Sequence, residues 1–301
     1  MQLIDIVNSG NSGNSVAFVN LGAFKDLVVE LQTILGRTGL LDPPADGKFG
    51  QVSKWALNEA VKALKQAPKS EIDAALARAL LDADPASLLP IKPKADFAGK
   101  IASYMMSRNL WLNRHPACVN IVYVEGSELD GTANANVPNQ FNDVRAILRV
   151  APQTGVPEIV QAWEATTEPG RFYTEVKLEN PGGAARIGFG QYKSWAVGMH
   201  GAGNGAHEAL VQVDDVTVYR DANRDYKRAG DLPDTGMFGI NQHWGYDLPR
   251  TDIQNASAGC LVGRLKNGHR EFMKLVKDDQ RYLQNHGYRF MATVIDRSAL
   301  N

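Results

Sequence analysis

The feature that most constrains this chain is a change of periodicity near residue 96. Before it, apolar residues recur at helical spacing: Leu27, Val28, Leu31, Ile34 and Leu35 fall on one face, and Trp55, Leu57, Val61 and Leu64 on another. After it, short β-type runs dominate, separated by Gly, Pro, Asn and Asp clusters. Those runs are 119–124, 146–150, 158–163, 172–178, 210–213, 216–219 and 288–295. One chain with two textures predicts an α+β protein of more than one domain: a small helical N-terminal domain joined to a mostly β domain. At 301 residues, about two domains of roughly 150 residues each are expected.

The boundaries follow from local chemistry. Residues 8–15, a repeat of Asn, Ser and Gly, bury nothing, so 1–19 reads as a flexible tail. The helical domain is placed at 20–66, its second helix starting at Ser53, a good N-cap. Residues 67–96 read as a linker with one helix over 71–82, ended by Asp84-Pro85 and followed by Pro90 and Pro93. The second domain is placed at 97–301, with helices expected at 98–112 and 268–285.

Charge excludes several functions. Lys plus Arg is 32 and Asp plus Glu is 33, a net charge of -1, so neither nucleic acid nor an anionic membrane is an expected partner. No apolar run is long enough to cross a bilayer, so membrane insertion is not expected. Met1 to Ile6 lack a basic segment, an apolar stretch and a cleavage site. The expectation is synthesis in the cytoplasm without a signal peptide, as a monomer. The two cysteines, Cys118 and Cys260, make no disulfide framework. Cys118, just before a β run, reads as a core thiol.

In the N-terminal part, Leu31-Gln32, Gly39-Leu40-Leu41, Asp46-Gly47-Lys48-Phe49-Gly50 and Ser53 follow one another in order. Asp-Gly and Phe-Gly force tight turns, and Phe49 is sized to plug the space between two helices. This order resembles the peptidoglycan-binding domain of the three-helix type, over about residues 20–66. The resemblance implies peptidoglycan as the partner, with Phe49 at the glycan surface.

The sharpest chemistry is His243, followed after sixteen residues by Cys260 within Ser257-Ala258-Gly259-Cys260. A thiol becomes a nucleophile when a base removes its proton. The pattern resembles the L,D-transpeptidase catalytic domain. It implies Cys260 as nucleophile, His243 as base and acid, amides near Gly259 and Cys260 as oxyanion donors, and Ser257 as orienter of the loop or the imidazole. Asn241, Trp244 and His200 are the candidate substrate contacts. The sequence departs from that family at Ala258, where a His is usual, at Trp244, where a Gly commonly follows the His, and at Val262. A reactive Cys260 is expected to alkylate below the reference thiol pKa of ~8.5.

Other motifs are weaker. His200 and His207 match no zinc spacing, and no metal or cofactor is expected. Asp221 to Asp225 starts like a calcium loop, but Tyr226 and Leu232 stand where Gly and Glu are needed. Glu164 and Glu168 are candidates for a muramidase carboxylate pair, with a solvated turn as the simpler reading. The functional expectation is a peptidoglycan-acting cysteine enzyme, lytic and endolysin-like. An L,D-transpeptidase or a catalytically dead wall-binding protein are the alternatives.

Overall fold

The computed structural model describes residues 1–9 and 15–300. Residues 10–14, the centre of the Asn/Ser/Gly repeat, lie outside them.

Among the described residues the N-terminal unit has four α-helices and one 3-10 helix, Phe18–Ala23, rather than the expected three helices. The α-helices are α1 (Leu3–Asn8), α2 (Lys25–Arg37), α3 (Gln51–Ala63) and α4 (Ala74–Leu81), with a two-stranded ribbon of β1 (Val16–Ala17) and β2 (Glu71–Ile72). The flexible tail expected over 1–19 is therefore corrected over residues 1–9 and 15–19. Leu3 and Ile6 are fully buried, and the Leu3 amide donates to Glu30 on α2 at 2.7 Å. Val16 and Ala17 pair antiparallel with Ile72 and Glu71. Two apolar residues one turn apart suffice to anchor a six-residue helix once α4 offers them a face. Residues 71–81 belong to this unit too: Ile72, Leu76 and Leu80 share its core with Leu27, Leu31, Leu35 and Leu57. Only α5 (Pro85–Leu88) and the segment to Asp96 have linker character.

The residues that carried the peptidoglycan-binding resemblance serve as one staple. The Gln32 amide donates to Asp46 at 2.8 Å and to the Ser53 hydroxyl at 3.2 Å, and it accepts from the Gly47 amide at 2.8 Å. Gly47 has φ +72°, which the turn requires. Helix α3 starts at Gln51, two residues before the expected Ser53 cap, because the Ser53 hydroxyl is turned inward to Gln32. Phe49 is half-buried against the helical core, as the plug reading expected, and lines no part of the cleft described below.

Asp96 caps α6 (Phe97–Ser107), its carboxylate accepting from Gly99 at 2.8 Å. An eight-stranded closed barrel follows. In chain order its strands are β3 (Asn120–Glu125), β4 (Asp143–Val150), β5 (Pro157–Thr166), β7 (Gly190–His200), β8 (His207–Gln212), β11 (Gln242–Trp244), β12 (Leu261–Gly263) and β13 (Phe290–Asp296). Around the barrel they run β11-β12-β5-β4-β3-β13-β7-β8, and β8 closes on β11. A separate sheet joins β6 (Ala184–Ile187), β9 (Val216–Asp221) and β10 (Leu232–Gly236). Trp195, Tyr123, Ile147, Phe272 and Phe290 fill the core between barrel and helices.

Two sequence expectations fail locally. Residues 172–178 form no strand; Phe172–Val176 is one widened helical turn, with Val176 exposed. β-propensity measures fit to a sheet surface, and here no strand lies beside the segment to pair with it. The single helix expected over 268–285 is two: α7 (Lys266–Lys277) and α8 (Gln280–Gln284). Asp279 breaks it by capping α8 while accepting the Val119 amide at 2.7 Å. Cys118 is buried as expected, and burial pushes its thiol pKa up.

The helical unit sits directly on the barrel rather than swinging from it. Asp42 is fully buried between them, accepting the Tyr288 hydroxyl at 2.6 Å with Lys193 at 2.6 Å. Arg114 donates its amide to Gly39 at 2.9 Å, and the Trp111 indole donates to Gly36 at 3.1 Å. Among the described residues no helix is long and apolar enough to cross a membrane.

Leu3→Ala tests the anchoring of α1. Truncating a fully buried Leu is expected to cost about 3 kcal/mol, read as a lower urea midpoint. A free tail would leave the midpoint unchanged.

Candidate active site

The site is made where the barrel's two shortest strands lie side by side. β11 and β12 lie parallel, with His243 opposite Val262 and Gln242 opposite Leu261. The Leu261 amide donates to the Asn241 carbonyl at 2.9 Å. This register carries Cys260, the residue before β12, to the same side as His243. Both line one cleft of about 500 Å³ with Tyr173, His200, Tyr246, Asn255, Ala256 and Ala258.

The loop from Gly245 to Gly259 that joins the two strands is held at several points. Phe141 packs with Ile253, Ala256 and Val262, and its amide donates to Arg250 at 2.8 Å. Asn139 donates to Asp252 at 3.0 Å, and Gly170 donates to Ser257 at 2.8 Å. Ser257 is buried and staples the turn: its hydroxyl donates to the Cys260 carbonyl at 2.9 Å and accepts from the Gly259 amide at 3.1 Å. Gly259 has φ +139°, and a Cβ there would meet the Ala185 carbonyl at 2.6 Å. No other residue fits this turn without moving β6. Because Gly259 spends its amide on Ser257, it is not an open oxyanion donor. The Cys260 amide, by contrast, has no acceptor among the described residues.

His243 is buried at the base of the cleft. Its Nδ1 donates to the Trp244 carbonyl at 2.8 Å, which leaves the Nε2 lone pair free. Desolvation, then the neighbouring His200, holds its pKa well below the usual imidazole range. The ring is therefore neutral at neutral pH and able to accept a proton. The Cys260 side chain is part-exposed, and its thiol donates to the Gly239 carbonyl at 3.4 Å. Desolvation pushes its pKa up to about 11, partly opposed by the Asn241 backbone N–H. The thiol and the imidazole that share the cleft are thus both neutral at rest. This corrects the expectation of a thiol already acidified in the free protein.

The remaining sequence candidates separate cleanly. His200 stands in the cleft, stacked on His243 with ring centroids 3.9 Å apart and planes at 10°. Asn241 does not offer its side chain to the cleft: its oxygen accepts the Gln212 amide at 2.8 Å and its nitrogen donates to His200 at 3.0 Å. It positions rather than contacts. Trp244 is corrected too. Successive residues of a strand face opposite ways, and Trp244 stacks on His207 at 3.7 Å, outside the cleft. Phe49 belongs to the helical unit.

Sequence reasoning missed Tyr173, Tyr246 and Asn255 as cleft walls, and His269 as support. His269 accepts from Arg145 at 3.1 Å, donates to the Glu208 carbonyl at 2.9 Å, and is held near pKa 3 by burial and by Arg145. Only its spacing on α7 hinted at a buried role. Glu164 and Glu168 do not form a carboxylate pair: Glu164 binds Arg264 at 2.5 Å, while Glu168 is buried against Arg186. Asp221 accepts the Asp225 and Tyr226 amides, a turn rather than a cation loop. Among the described residues no three His, Cys, Asp or Glu side chains are placed to hold a metal ion.

Comparison with known proteins places this geometry in no named family. No family model and no curated protein matches the chain. One similar solved structure is a fused Zn-dependent amidase/peptidase/peptidoglycan-binding domain-containing protein from Clostridium acetobutylicum ATCC 824. It is 12% identical over 93% of this chain and 96% of that one, with a TM-score of 0.28. Another is the L,D-transpeptidase (residues 123–326) from Xylanimonas cellulosilytica DSM 15894, 13% identical over 89% and 92%, with a TM-score of 0.27. Scores this low do not establish a common fold. What is established is a class: a mixed α/β protein whose mostly β barrel carries a thiol and an imidazole in one cleft.

A thiol of pKa about 11 leaves on the order of one thiolate in 10⁴ at pH 7. Alkylation of Cys260 by iodoacetamide, followed by mass spectrometry, is expected to be slow at pH 7. It should rise about tenfold per pH unit toward pH ~10. A rate already at its plateau by pH 7 would contradict the neutral pair.

Proposed function

We propose that this protein is a cysteine acyl-transfer enzyme acting on the stem peptides of peptidoglycan. The observation that carries the reading is the shared cleft: His243 on β11 and Cys260 just before the adjoining parallel β12, with the His243 Nε2 lone pair left free by the Trp244 carbonyl. The resemblance of His243 and Ser257-Ala258-Gly259-Cys260 to the L,D-transpeptidase motif supports the choice of substrate. So does the order of Gln32, Asp46-Gly47, Phe49 and Ser53 in the helical unit.

The chemistry follows from a neutral pair. When a stem amide enters the cleft, the Cys260 sulfur attacks its carbonyl carbon while His243 Nε2 takes the thiol proton. The oxygen becomes an alkoxide, met by the Cys260 amide. Collapse breaks the C–N bond, and His243 returns the proton to the leaving amine. The acyl group is left on sulfur as a thioester. Water then gives a free carboxylate (a peptidase), or the amine of a second stem gives a new amide (a transpeptidase). Catalysis here begins from thiol and imidazole, so the base is needed at the moment of attack rather than beforehand.

The lytic outcome is the one we favour. The open cleft has no charged side chain among its lining residues to hold a second stem by its ammonium or carboxylate. The helical unit would bind wall material in a fixed orientation to the cleft, since buried Asp42 and the Arg114 amide lock it to the barrel.

Digestion of purified peptidoglycan, read by mass spectrometry, tests the proposal. Wild type is expected to release stem peptides, and Cys260→Ala to release none. New cross-links or exchanged terminal residues would make it a transpeptidase. Products that persist in Cys260→Ala would remove Cys260 as nucleophile. No products with wall binding retained would leave a binding protein.

A further inference from the structure

We infer that His200, from strand β7, is a second catalytic imidazole that donates its Nε2–H to the developing oxyanion, while His243 acts as the base. The assignment rests on the acyl-transfer reading above and deepens it. It grows from a chain of hydrogen bonds that leaves each ring one available role.

The chain starts at a backbone amide. Gln212 N–H donates to one side-chain atom of Asn241 at 2.8 Å, so that atom is the oxygen. The other end of the Asn241 amide is then the nitrogen, and it lies 3.0 Å from His200 Nδ1. An amide nitrogen only donates, so His200 Nδ1 accepts, and in the neutral ring the proton sits on Nε2. Among the described residues that Nε2 has no partner. His243 is fixed the opposite way. Its Nδ1 faces the Trp244 carbonyl at 2.8 Å and carries the proton, so its Nε2 accepts.

Two rings stacked 3.9 Å apart at 10°, both lining the cleft of Cys260, therefore present complementary atoms. One can take a proton and the other can give a hydrogen bond. The stack also separates the roles electrostatically. Once His243 carries the thiol proton, a second positive charge on His200 is opposed at 3.9 Å, which keeps His200 a neutral donor. A neutral imidazole is a suitable electrophile for an oxyanion, since it gives a hydrogen bond without needing to be charged first. The donor is also needed here. Gly259 has committed its amide to Ser257, so the Cys260 loop offers one backbone donor fewer.

The test compares two reactions of Cys260 that differ only in whether an oxyanion forms. A p-nitrophenyl ester acylates the sulfur through a tetrahedral alkoxide and releases nitrophenolate, with the thiol proton passing to His243. Iodoacetamide alkylates the same sulfur by direct displacement of iodide, and no alkoxide appears. His200→Phe keeps a stacked ring and removes the donor. It is expected to slow ester acylation about 100-fold and to leave alkylation within about threefold of wild type. His200→Gln, which restores an N–H donor, should recover part of the acylation rate. Loss of both reactions together in His200→Phe would make His200 a positioning residue for His243 and overturn the assignment. Acylation that survives His200→Phe would overturn it as well. An ester that fails to acylate wild-type Cys260, while iodoacetamide still does, would overturn the acyl-transfer reading and this assignment with it. A measurement on the unaltered protein closes the remaining gap: long-range ¹⁵N–¹H spectra should place the His200 proton on Nε2. A proton on Nδ1 would refute the inference whatever the variants do.

Discussion

The β11–β12 pair is only three residues on each side, yet it closes an eight-stranded barrel and carries the cleft. β11 touches its other neighbour, β8, through the single pairing of Gln242 with Leu210. So little ladder holds because both flanks are packed. Gln242 accepts from the Tyr123 hydroxyl at 3.2 Å inside the barrel. Gly263 leaves room for the buried Arg145 guanidinium, which lies 4.1 Å from the centre of the Phe272 ring. Parallel pairing also explains the spacing of the motif. Two parallel strands need a connection that runs back along their length, and the sixteen residues between His243 and Cys260 contain it. That connection brings Tyr246, Asn255 and Ala256 to the cleft on its way.

The electrostatics of the cleft follow from desolvation without a nearby carboxylate. His200, His207, His243 and His269 all have lowered pKa values, with burial the first cause in each. None of these rings has an acid partner that would hold it charged. Backbone carbonyls and one amide side chain fix the tautomers instead, through Trp244, Gly205, Glu208 and Asn241. A carboxylate would raise the basicity of His243 and also draw the proton away from Cys260 at rest. Carbonyl partners orient the ring without that effect, which suits a pair that stays neutral until a substrate arrives.

Charged groups are placed elsewhere and do structural work. Glu125 is held below the usual carboxylate range, to about 2, chiefly by Arg228, and burial together with Glu125 raises Asp143. Thr167 links the two carboxylates through its hydroxyl, at 2.6 and 2.9 Å. This network lies at the end of β5 and holds the 166–170 segment, which in turn supports Ser257 through the Gly170 amide. A buried ionic network of this kind contributes little net stability, but losing one partner strands the others. Its service here is to fix the path of the chain beneath the Cys260 loop.

The sequence alone determined the elements whose signal is local. Helices α2 and α6, strands β3, β4, β8 and β13, and the buried state of Cys118 all rest on periodicity, caps or short-range spacing, whereas His243 and Cys260 were singled out together through a resemblance to the L,D-transpeptidase motif. Tertiary structure decided what depends on a neighbour. It made Leu3 and Ile6 an anchor because α4 lies beside them. It left 172–178 without a strand because no partner strand lies alongside. It turned Trp244 out of the cleft because adjacent strand residues face opposite ways. The long β7 was not legible, since its half-buried, Gly-interrupted pattern lacks a clean alternation. With β7 unseen, the stacking of His200 on His243 was unreadable as well, because residues 43 positions apart meet only when the barrel closes. The protonation state of the cleft belongs to the same class. A sequence names the thiol and the imidazoles, but only burial and the hydrogen bonds of the folded chain decide where their protons reside.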